Sequence, residues 1–595
     1  MTALPYVIFA FLAAVSWNRW IEPYVDTGRE LMVPWRLAQG ERLYADVQFH
    51  HGPLAPWLGA AIDRVAGRSI PARTALAAAL ALLTLAALDR IARVLLSPRR
   101  AALATSVAVA TAFFVRPGGW MFPFSFDCAI AVAALTWAVV LIEHAAARWD
   151  GAAGFCLLAA TLARVEMGLA GIVLVAVHVL LGRREPLRLL RLAFFPLAAA
   201  AAAYAVASFG IPRERLVADG WLRVLDPPPA YRNVYRAYAG LDRLPLRIAE
   251  LALCACVLAL AAALVCLAAA AASRRKGAAA RPAASVLVEA ATIAILAGAA
   301  ALSLWPPASL AATLSLLPPL VRAIPPVIAA AAAWRLVLVA LRRSPAGPLA
   351  RVPDAVLWLG GLFATRILLA AGYGGPYGAF FLPLPLILGV SGLFGVADRL
   401  ARPIGAALPR LTLAALSVFL LARIAATAQF YRGPGWSLVA TPAGPVRLPE
   451  PVAGATREAL ADLSRRMPAG GSLAGFPEAG FFAYVLGLRT PFPSEQFFPD
   501  HVDAAGEERT IALLRSRPPE MLLYANVLAV GEGQRAFGTD YLRRLDAAAR
   551  EDSTTVAIYG PGARPDARIG DPDFFVELRR VRARVRSVSR DAERP

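Results

Sequence analysis

Apolar stretches long enough to cross a bilayer recur between residues 3 and 428 of this 595-residue chain. A transmembrane helix needs about 20 apolar residues for about 30 Å of hydrocarbon, so the sequence predicts about 13 spans. Soluble proteins hold about 45–50% apolar and about 25% charged residues, against 58% and 17% here, which excludes a cytosolic enzyme. The predicted spans are 3–20, 71–95, 101–115, 123–143, 151–165, 167–182, 190–209, 246–272, 286–304, 319–341, 353–372, 376–396 and 408–428.

The basic residues indicate a membrane topology. The formal net charge is +20, from 61 basic and 41 acidic residues. The basic residues punctuate apolar segments, which does not fit a nucleic-acid-binding face, so we expect no nucleic-acid partner. Because basic loops stay in the cytoplasm, we expect the N-terminus inside, the first span retained as an anchor, and the C-terminal part outside. Five clusters fall on one side: Arg90/Arg93/Arg99/Arg100, Arg183/Arg184/Arg188/Arg191, Arg274/Arg275/Lys276, Arg342/Arg343 and Arg399/Arg402/Arg410.

The chain divides by composition into a membrane part and a soluble part. We expect a transmembrane domain over 1–430, with external loops at 21–70 and 211–245, and a soluble extracytoplasmic α/β domain over 446–595. The fold class expected is therefore mainly α and polytopic, with a small C-terminal α/β domain. Hydrophobic periodicity in that domain predicts helices at Thr456–Arg466, Glu507–Arg515 and Asp540–Arg550, and strands at Ser472–Phe476, Met521–Tyr524 and Thr554–Tyr559.

The first external loop carries the best candidates for chemistry. A helix from Thr27 to Gln39, ended by Gly40 and capped by Asp26 or Thr27, and a second helix over 53–65 both fit segments lying in the membrane interface. Asp26 and Glu30 share a face if the first helix begins early enough. Such a carboxylate pair can activate a hydroxyl or amine acceptor. The alternatives are a solvated or capping Asp26 and an arginine-paired Glu30.

Three strings in this loop resemble a known family. Tyr24-Val-Asp26-Thr-Gly-Arg-Glu30, Ala38-Gln-Gly40-Glu-Arg-Leu-Tyr44-Ala-Asp46 and His51-Gly-Pro53-Leu54 are similar to the first loop of bacterial GT-C class membrane glycosyltransferases. These are relatives of glycosyltransferase family 39, which includes protein mannosyltransferases and aminoarabinose transferases. Arg164-Val-Glu166 and the string from Gly372 through Tyr377 to Pro385 also look family-like.

The resemblance implies a GT-C-like fold and a catalytic role for Asp26. It also implies transfer of a sugar from a polyprenyl-phosphate donor in the membrane lipid to an extracytoplasmic glycan, lipid or protein. We expect a direct displacement at the anomeric carbon, which would invert its configuration. The location implied is the bacterial inner membrane. Asp26 is followed by Thr27 where many members have a second acidic residue, so Glu30 or Asp46 would supply a second carboxylate.

Charged residues inside or near the predicted spans are further candidates. A charge at mid-membrane costs about 2.5–3.5 kcal/mol on insertion scales, so Arg164, Glu166 and Arg366 suggest function. We predict that Arg366 and Arg164 bind the donor phosphate, with Tyr377 beside them and Glu166 in support. An Arg164–Glu166 pair, snorkelling and interfacial tyrosines are the alternatives.

The sequence gives little support for a metal site. His50 and His51 could bind a metal with Asp26, but adjacent loop histidines more often serve as hydrogen-bonded scaffold, so both are predicted as supporting residues. The five cysteines lie inside apolar runs and form no zinc spacing. No metal or other cofactor is predicted.

Two other functions fit a polytopic chain with buried arginines. One is a membrane transporter or lipid flippase, which inverted repeats and paired broken helices would favour. The other is a non-catalytic membrane scaffold whose external domain binds a partner. Residues 430–595 show no reactive constellation in sequence, so we expect the C-terminal domain to hold the acceptor without supplying catalytic groups.

Overall fold

A computed structural model describes most of the chain. The described residues are 3–115, 119–143, 147–181, 186–225, 319–343, 349–367, 376–404, 407–499, 501–529 and 535–582, with 227, 232 and 245. The predicted spans 246–272 and 286–304 and much of the loop 211–245 lie outside them. The chain forms two compact units. The first comprises Met1–Ile21, Phe49–Pro227 and Arg232–Pro434, and the second is built from Glu22–Gln48 and Gly435–Pro595.

In the described part of the first unit, all regular secondary structure is helical. Each predicted span that falls on described residues coincides with one or two helices. Short 3₁₀ helices lie at Ala147–Trp149 and Trp221–Val224. The helices are Leu4–Val15, Leu54–Ala66, Ile70–Leu95, Pro98–Ala108 with π-helical Val109–Phe113, Phe126–Glu143, Asp150–Ala163, Val165–Leu181, Pro186–Leu189 with π-helical Leu190–Phe194, Phe195–Ala207, Arg213–Asp219, Pro319–Ala340, Asp354–Arg366, Pro376–Phe381, Pro383–Ile404 and Ala407–Arg432.

Four helical segments of the described chain are long and apolar enough to cross a membrane, as expected of a membrane protein. They are Ile70–Leu95, Phe126–Glu143, Leu187–Ala207 and Leu408–Arg432. Phe126–Glu143 is the central one, because 78% of its apolar window is buried and it packs against Ile70–Leu95 and Asp150–Ala163. Only 22% of the window in Leu187–Ala207 is buried, so that segment turns most of its apolar surface outward.

The second unit is the predicted α/β part. Strands β3 Leu473–Phe476, β4 Met521–Ala525, β5 Ser553–Tyr559 and β6 Val576–Val581 form a sheet of order β3-β4-β6-β5. The β3–β4 pair is parallel and the other two pairs are antiparallel. Strands β1 Trp436–Val439 and β2 Val446–Pro449 form a separate antiparallel pair. The helices are Thr27–Ala38, Val452–Arg466, Gly480–Leu486, Ala504–Ser516 and Arg543–Glu551.

Most C-terminal elements are close to the prediction. The three predicted helices and three predicted strands are present, with ends that differ by a few residues. The predicted fold class, mainly helical with a small C-terminal α/β part, is confirmed. The β1–β2 pair, the helix Gly480–Leu486 and strand β6 were not predicted.

The first-loop segment Glu22–Gln48 packs inside the second unit, a grouping that the sequence does not reveal. The Tyr24 hydroxyl lies 2.8 Å from the Thr456 hydroxyl, and the Tyr24 ring contacts Phe482 with centroids 5.5 Å apart. Gly28 lets the helix Thr27–Ala38 approach the helix Gly480–Leu486 closely. A Cβ on Gly28 would lie 2.7 Å from the Phe481 backbone nitrogen, and one on Gly480 would lie 2.7 Å from the Gly28 carbonyl carbon.

We expect Gly28→Ala to destabilise the protein, because the added methyl group has no space between these two helices. Overpacking of this kind costs about 1–3 kcal/mol. The measurement is the midpoint of thermal unfolding in detergent. Gly151→Ala is the control, since a Cβ there meets nothing within 4 Å and alanine is the better helix former. Equal midpoints for wild type and Gly28→Ala would contradict the close helix contact.

Candidate functional site

Asp26 has an unusual backbone conformation at the start of the helix Thr27–Ala38. Its φ is +61° and its ψ is −39°, and its side chain does not cap the helix that it precedes. The Thr27 hydroxyl instead accepts a hydrogen bond from the Glu22 N–H at 3.1 Å. A non-glycine residue in a sparsely populated backbone region costs of order 1–3 kcal/mol and persists where surrounding contacts over-determine it. Such outliers cluster at functional sites, which makes the contacts of Asp26 informative.

Glu478 supplies the cap that Asp26 does not. Its carboxylate accepts the backbone N–H of Asp26 at 2.8 Å and that of Arg29 at 3.1 Å. Both groups belong to the first turn, where helix N–H groups have no partner within the helix. An anion at this end is also favoured by the helix dipole. Glu478, which is 0% exposed, therefore fixes the first turn from a distant part of the chain.

Gln496 joins the two carboxylates. Its Nε2 donates to Asp26 Oδ1 and to Glu478 Oε2, each at 2.9 Å. Its Oε1 accepts from Arg29 at 2.9 Å. The Arg29 guanidinium also lies 3.6 Å from Asp26 Oδ1. The Asp26 side chain keeps 28% of its surface exposed, so part of this carboxylate can meet a molecule from solution.

Glu30 lies on the same helix with a different environment. Its side chain is 5% exposed, and its carboxylate accepts from Arg29 at 2.9 Å. Arg29 thus separates the two carboxylates predicted as a pair. Glu30 neutralises Arg29 from the buried side, whereas Asp26 is the accessible carboxylate.

The electrostatics of this site centre on Glu478. Burial, first, and the charge of Asp26, second, raise the pKa of Glu478 to about 8. The hydrogen bonds from Gln496 and from the Asp26 N–H, together with the charge of Arg29, act in the opposite direction. Near neutral pH a proton therefore binds Glu478 readily.

A second ionic cluster holds the rest of the loop in place. The buried Arg36 donates to Glu495 at 2.8 Å and to Glu41 at 2.6 Å, and also to the carbonyl oxygen of Phe492 at 2.8 Å. The Gln48 N–H donates to the Pro493 carbonyl at 2.9 Å. These contacts hold the residues that directly precede Gln496 against the first-loop segment.

In the first unit, Arg164 is the centre of a buried network. It lies in extended conformation between the helices Asp150–Ala163 and Val165–Leu181. Its Nε donates to Asp127 at 2.5 Å, its NH2 lies 3.1 Å from His51 Nε2, and its NH1 lies 3.5 Å from Glu166. The Arg164 and Asp127 side chains are both 0% exposed. These contacts are those of an ion pair that locks the helix break to the His51 loop.

The other predicted phosphate ligands differ in setting. Arg366 ends the helix Asp354–Arg366, is half-buried, and has no carboxylate partner among the described residues. Tyr377 belongs to the helix Pro376–Phe381, and its side chain lies outside the described part.

The predicted histidines are both half-buried, and only the contacts of His51 define a role. His51 bonds Arg164 and lies 3.8 Å from Asp127, whereas His50 precedes it in the same loop. Across the described residues, no group of three or more His, Cys, Asp or Glu side chains could hold a metal ion.

Three site residues escaped the sequence analysis. Asp127 had a usable signal, because a carboxylate within an apolar span requires a partner. Glu478 follows the carboxyl end of strand β3, where parallel sheets often place functional side chains. Gln496 has no comparable signal, since only the folding of its loop brings it to Asp26.

Comparison with solved structures finds several chains of similar architecture, among them the following two. The Archaeoglobus fulgidus oligosaccharyltransferase, tethered to an acceptor peptide containing the NVT sequon, has a TM-score of 0.47 and 12% identity, covering 88% of this chain and 69% of that chain. ArnT from Cupriavidus metallidurans, bound to undecaprenyl phosphate, has a TM-score of 0.47 and 14% identity, covering 97% and 96%. No protein-family model and no curated protein matches the sequence. At these values the likenesses establish neither a family nor an activity for this chain.

The raised pKa of Glu478 predicts a pH-dependent stability. Between its ordinary value of 4.5 and about 8, the folded protein binds more protons at this site than the unfolded chain. The free energy of unfolding should therefore fall as the pH rises through this window. Glu478→Gln should flatten that part of the profile, measured as the unfolding midpoint from pH 5 to pH 9. The exposed Glu458→Gln is the control, and an unchanged slope in Glu478→Gln would contradict the assignment.

Proposed function

We propose that this protein is an integral membrane glycosyltransferase that moves a sugar from a polyprenyl-phosphate donor to an extracytoplasmic acceptor. The proposal rests on the position and the environment of Asp26. It follows the first apolar helix, is held at positive φ by buried contacts, and keeps its carboxylate partly exposed. The family resemblance of the loop sequence gives a catalytic role to this same aspartate. A fixed, accessible carboxylate is the arrangement that a general base requires.

The proposed reaction is a single displacement. The acceptor hydroxyl or amine attacks the anomeric carbon and forms the new glycosidic bond. The bond between that carbon and the phosphate oxygen breaks, and its electron pair leaves with the polyprenyl phosphate. Asp26 takes the acceptor's proton. Attack opposite the leaving group inverts the anomeric configuration.

The leaving phosphate needs positive charge more than a proton. We propose Arg366 as its principal ligand, because it has no carboxylate partner among the described residues. Arg164 contributes its charge while Asp127 holds it in position. In this proposal the Tyr377 hydroxyl donates a hydrogen bond to the same phosphate. Preorganised cations at a developing charge are a large source of rate enhancement.

The apolar helices support a lipid-linked donor, since such a molecule stays in the bilayer. We propose the bacterial inner membrane as the location and the extracytoplasmic side for the C-terminal part, following the arginine clusters. In this proposal residues 1–430 bind the donor. Residues 446–595 hold the acceptor and supply the groups that fix Asp26, without touching the reacting atoms.

The helix break at Arg164 is the feature that favours a transporter or flippase instead. Broken helices commonly form binding sites in transporters. Here the Arg164 guanidinium is fully buried and bonded to Asp127, which gives the break a structural explanation. A transporter function would not explain the strained backbone conformation of Asp26.

Asp26→Asn tests the function directly. Purified protein in detergent is incubated with a panel of undecaprenyl-phosphate-linked hexoses and pentoses plus a cell-envelope extract, and labelled sugar leaving the lipid phase is measured. We expect transfer to fall by about 100-fold or more, since base catalysis contributes about 10²–10⁴-fold. Asp566→Asn, at a carboxylate with 84% exposure, is the matched control. A folded Asp26→Asn protein working near the wild-type rate would reject the base.

A further inference from the structure

We propose that Glu478 is a positioning residue for the transfer reaction, acting with Gln496 to fix the direction of the Asp26 carboxylate. The inference rests on the proposed function of Asp26, and it adds to that function a control exerted from the C-terminal part of the chain. Glu478 does not touch the reacting atoms in this proposal. It acts through Asp26.

Glu478 fixes the backbone of the first turn of the helix Thr27–Ala38. Asp26 and Arg29 are three positions apart, and their N–H groups both point at one carboxylate. Two bonds from one anion fix both the tilt of the first turn and the φ of Asp26. Without that anion, the strained Asp26 conformation would lose the contacts that over-determine it.

Gln496 orients the side chain of Asp26. The Gln496 amide has one possible orientation, because the Arg29 guanidinium only donates and therefore faces the amide oxygen. The amide nitrogen must then face Asp26 and Glu478, as observed. Gln496 is 1% exposed, and its bond to Glu478 is buried, so its amide is shielded from solvent. The Asp26 carboxylate is thus aimed by a donor whose own direction is set by Arg29 and Glu478.

The protonation state of Glu478 controls how many of these hydrogen bonds it can accept. The three polar groups within hydrogen-bond distance of Glu478 are all N–H donors, from Asp26, Arg29 and Gln496. The ionised carboxylate accepts all three, whereas a protonated one places a hydrogen against a donor and loses a contact. The charged groups acting on Glu478 are Asp26 and Arg29, and Glu30 lies behind Arg29. With a pKa of about 8, positioning should strengthen as the pH rises through this value.

The test compares Glu478→Gln, Glu478→Asp and Gln496→Met with the exposed control Glu458→Gln. The rate of sugar release is measured from pH 6 to pH 9.5 with the undecaprenyl-phosphate sugar that the wild type turns over fastest. Hydrogen exchange of peptides covering 22–34 is followed in the same samples, without any substrate.

We expect Glu478→Gln to lower the rate about 100-fold, the cost of a misplacement of about 1 Å, and to remove an inflection near pH 8. Glu478→Asp keeps a carboxylate and should restore the inflection, with part of the rate. Gln496→Met should lower the rate while keeping the fold. Exchange over 22–34 should rise in Glu478→Gln and stay unchanged in Glu458→Gln.

Two results would overturn the proposal. One is a folded Glu478→Gln protein with the wild-type rate and pH profile. The other is unchanged exchange over 22–34 in both Glu478→Gln and Gln496→Met. If the wild type turns over no polyprenyl-phosphate sugar, the proposed function fails, and the exchange experiment alone then decides whether Glu478 positions Asp26. If Glu478→Gln does not fold, the Gln496→Met and Glu478→Asp proteins decide it.

Discussion

One carboxylate ties the first-loop segment to the C-terminal part of the chain: Glu478 caps the helix Thr27–Ala38 from 452 residues further along the sequence. Glu478 satisfies two N–H groups of the first turn of Thr27–Ala38, and Gly28 gives it the space to do so. Burying a carboxylate is costly unless hydrogen bonds compensate it. Three N–H donors and the positive end of the helix offset that cost here, and the raised pKa of Glu478 reflects the part that remains.

Two of the buried acidic residues, Glu478 and Asp127, have different roles. Asp127 is paired with the Arg164 guanidinium, and removing one partner of such a pair typically costs about 3–5 kcal/mol. Asp127 joins a helix break to the His51 loop, and both of its carboxylate oxygens are bonded, Oδ2 to Arg164 and Oδ1 to the Ser125 hydroxyl. Glu478 has no cation bonded directly to it in the described part of the chain. The ionised form of Glu478 is therefore less stabilised than that of Asp127, so Glu478 can titrate. Because Glu478 bonds the Asp26 N–H and Gln496, its titration affects the position of Asp26.

The sequence predicts long, periodic elements and misses those that depend on distant partners. The apolar runs predict the described helices because burial and length suffice to define them. Strand β6 was missed because Glu577 and Arg579 make it look exposed, yet both are buried and bonded to each other at 2.6 Å. Asp26 is a candidate in the sequence because of its place after the first span and the family resemblance of its loop. Glu478 and Gln496 are not, because their roles exist only once the C-terminal part folds around the first loop.

The central claim is that Glu478 affects transfer only through Asp26, and a double-mutant cycle measures this directly. Rates of sugar release are compared for wild type, Asp26→Asn, Glu478→Gln and the double variant. If the account is right, Glu478→Gln changes the residual rate of Asp26→Asn by less than about twofold, although it costs the wild type about 100-fold, because coupled residues are not additive. A further loss of about 100-fold in the Asp26→Asn background would show independent roles and contradict the account.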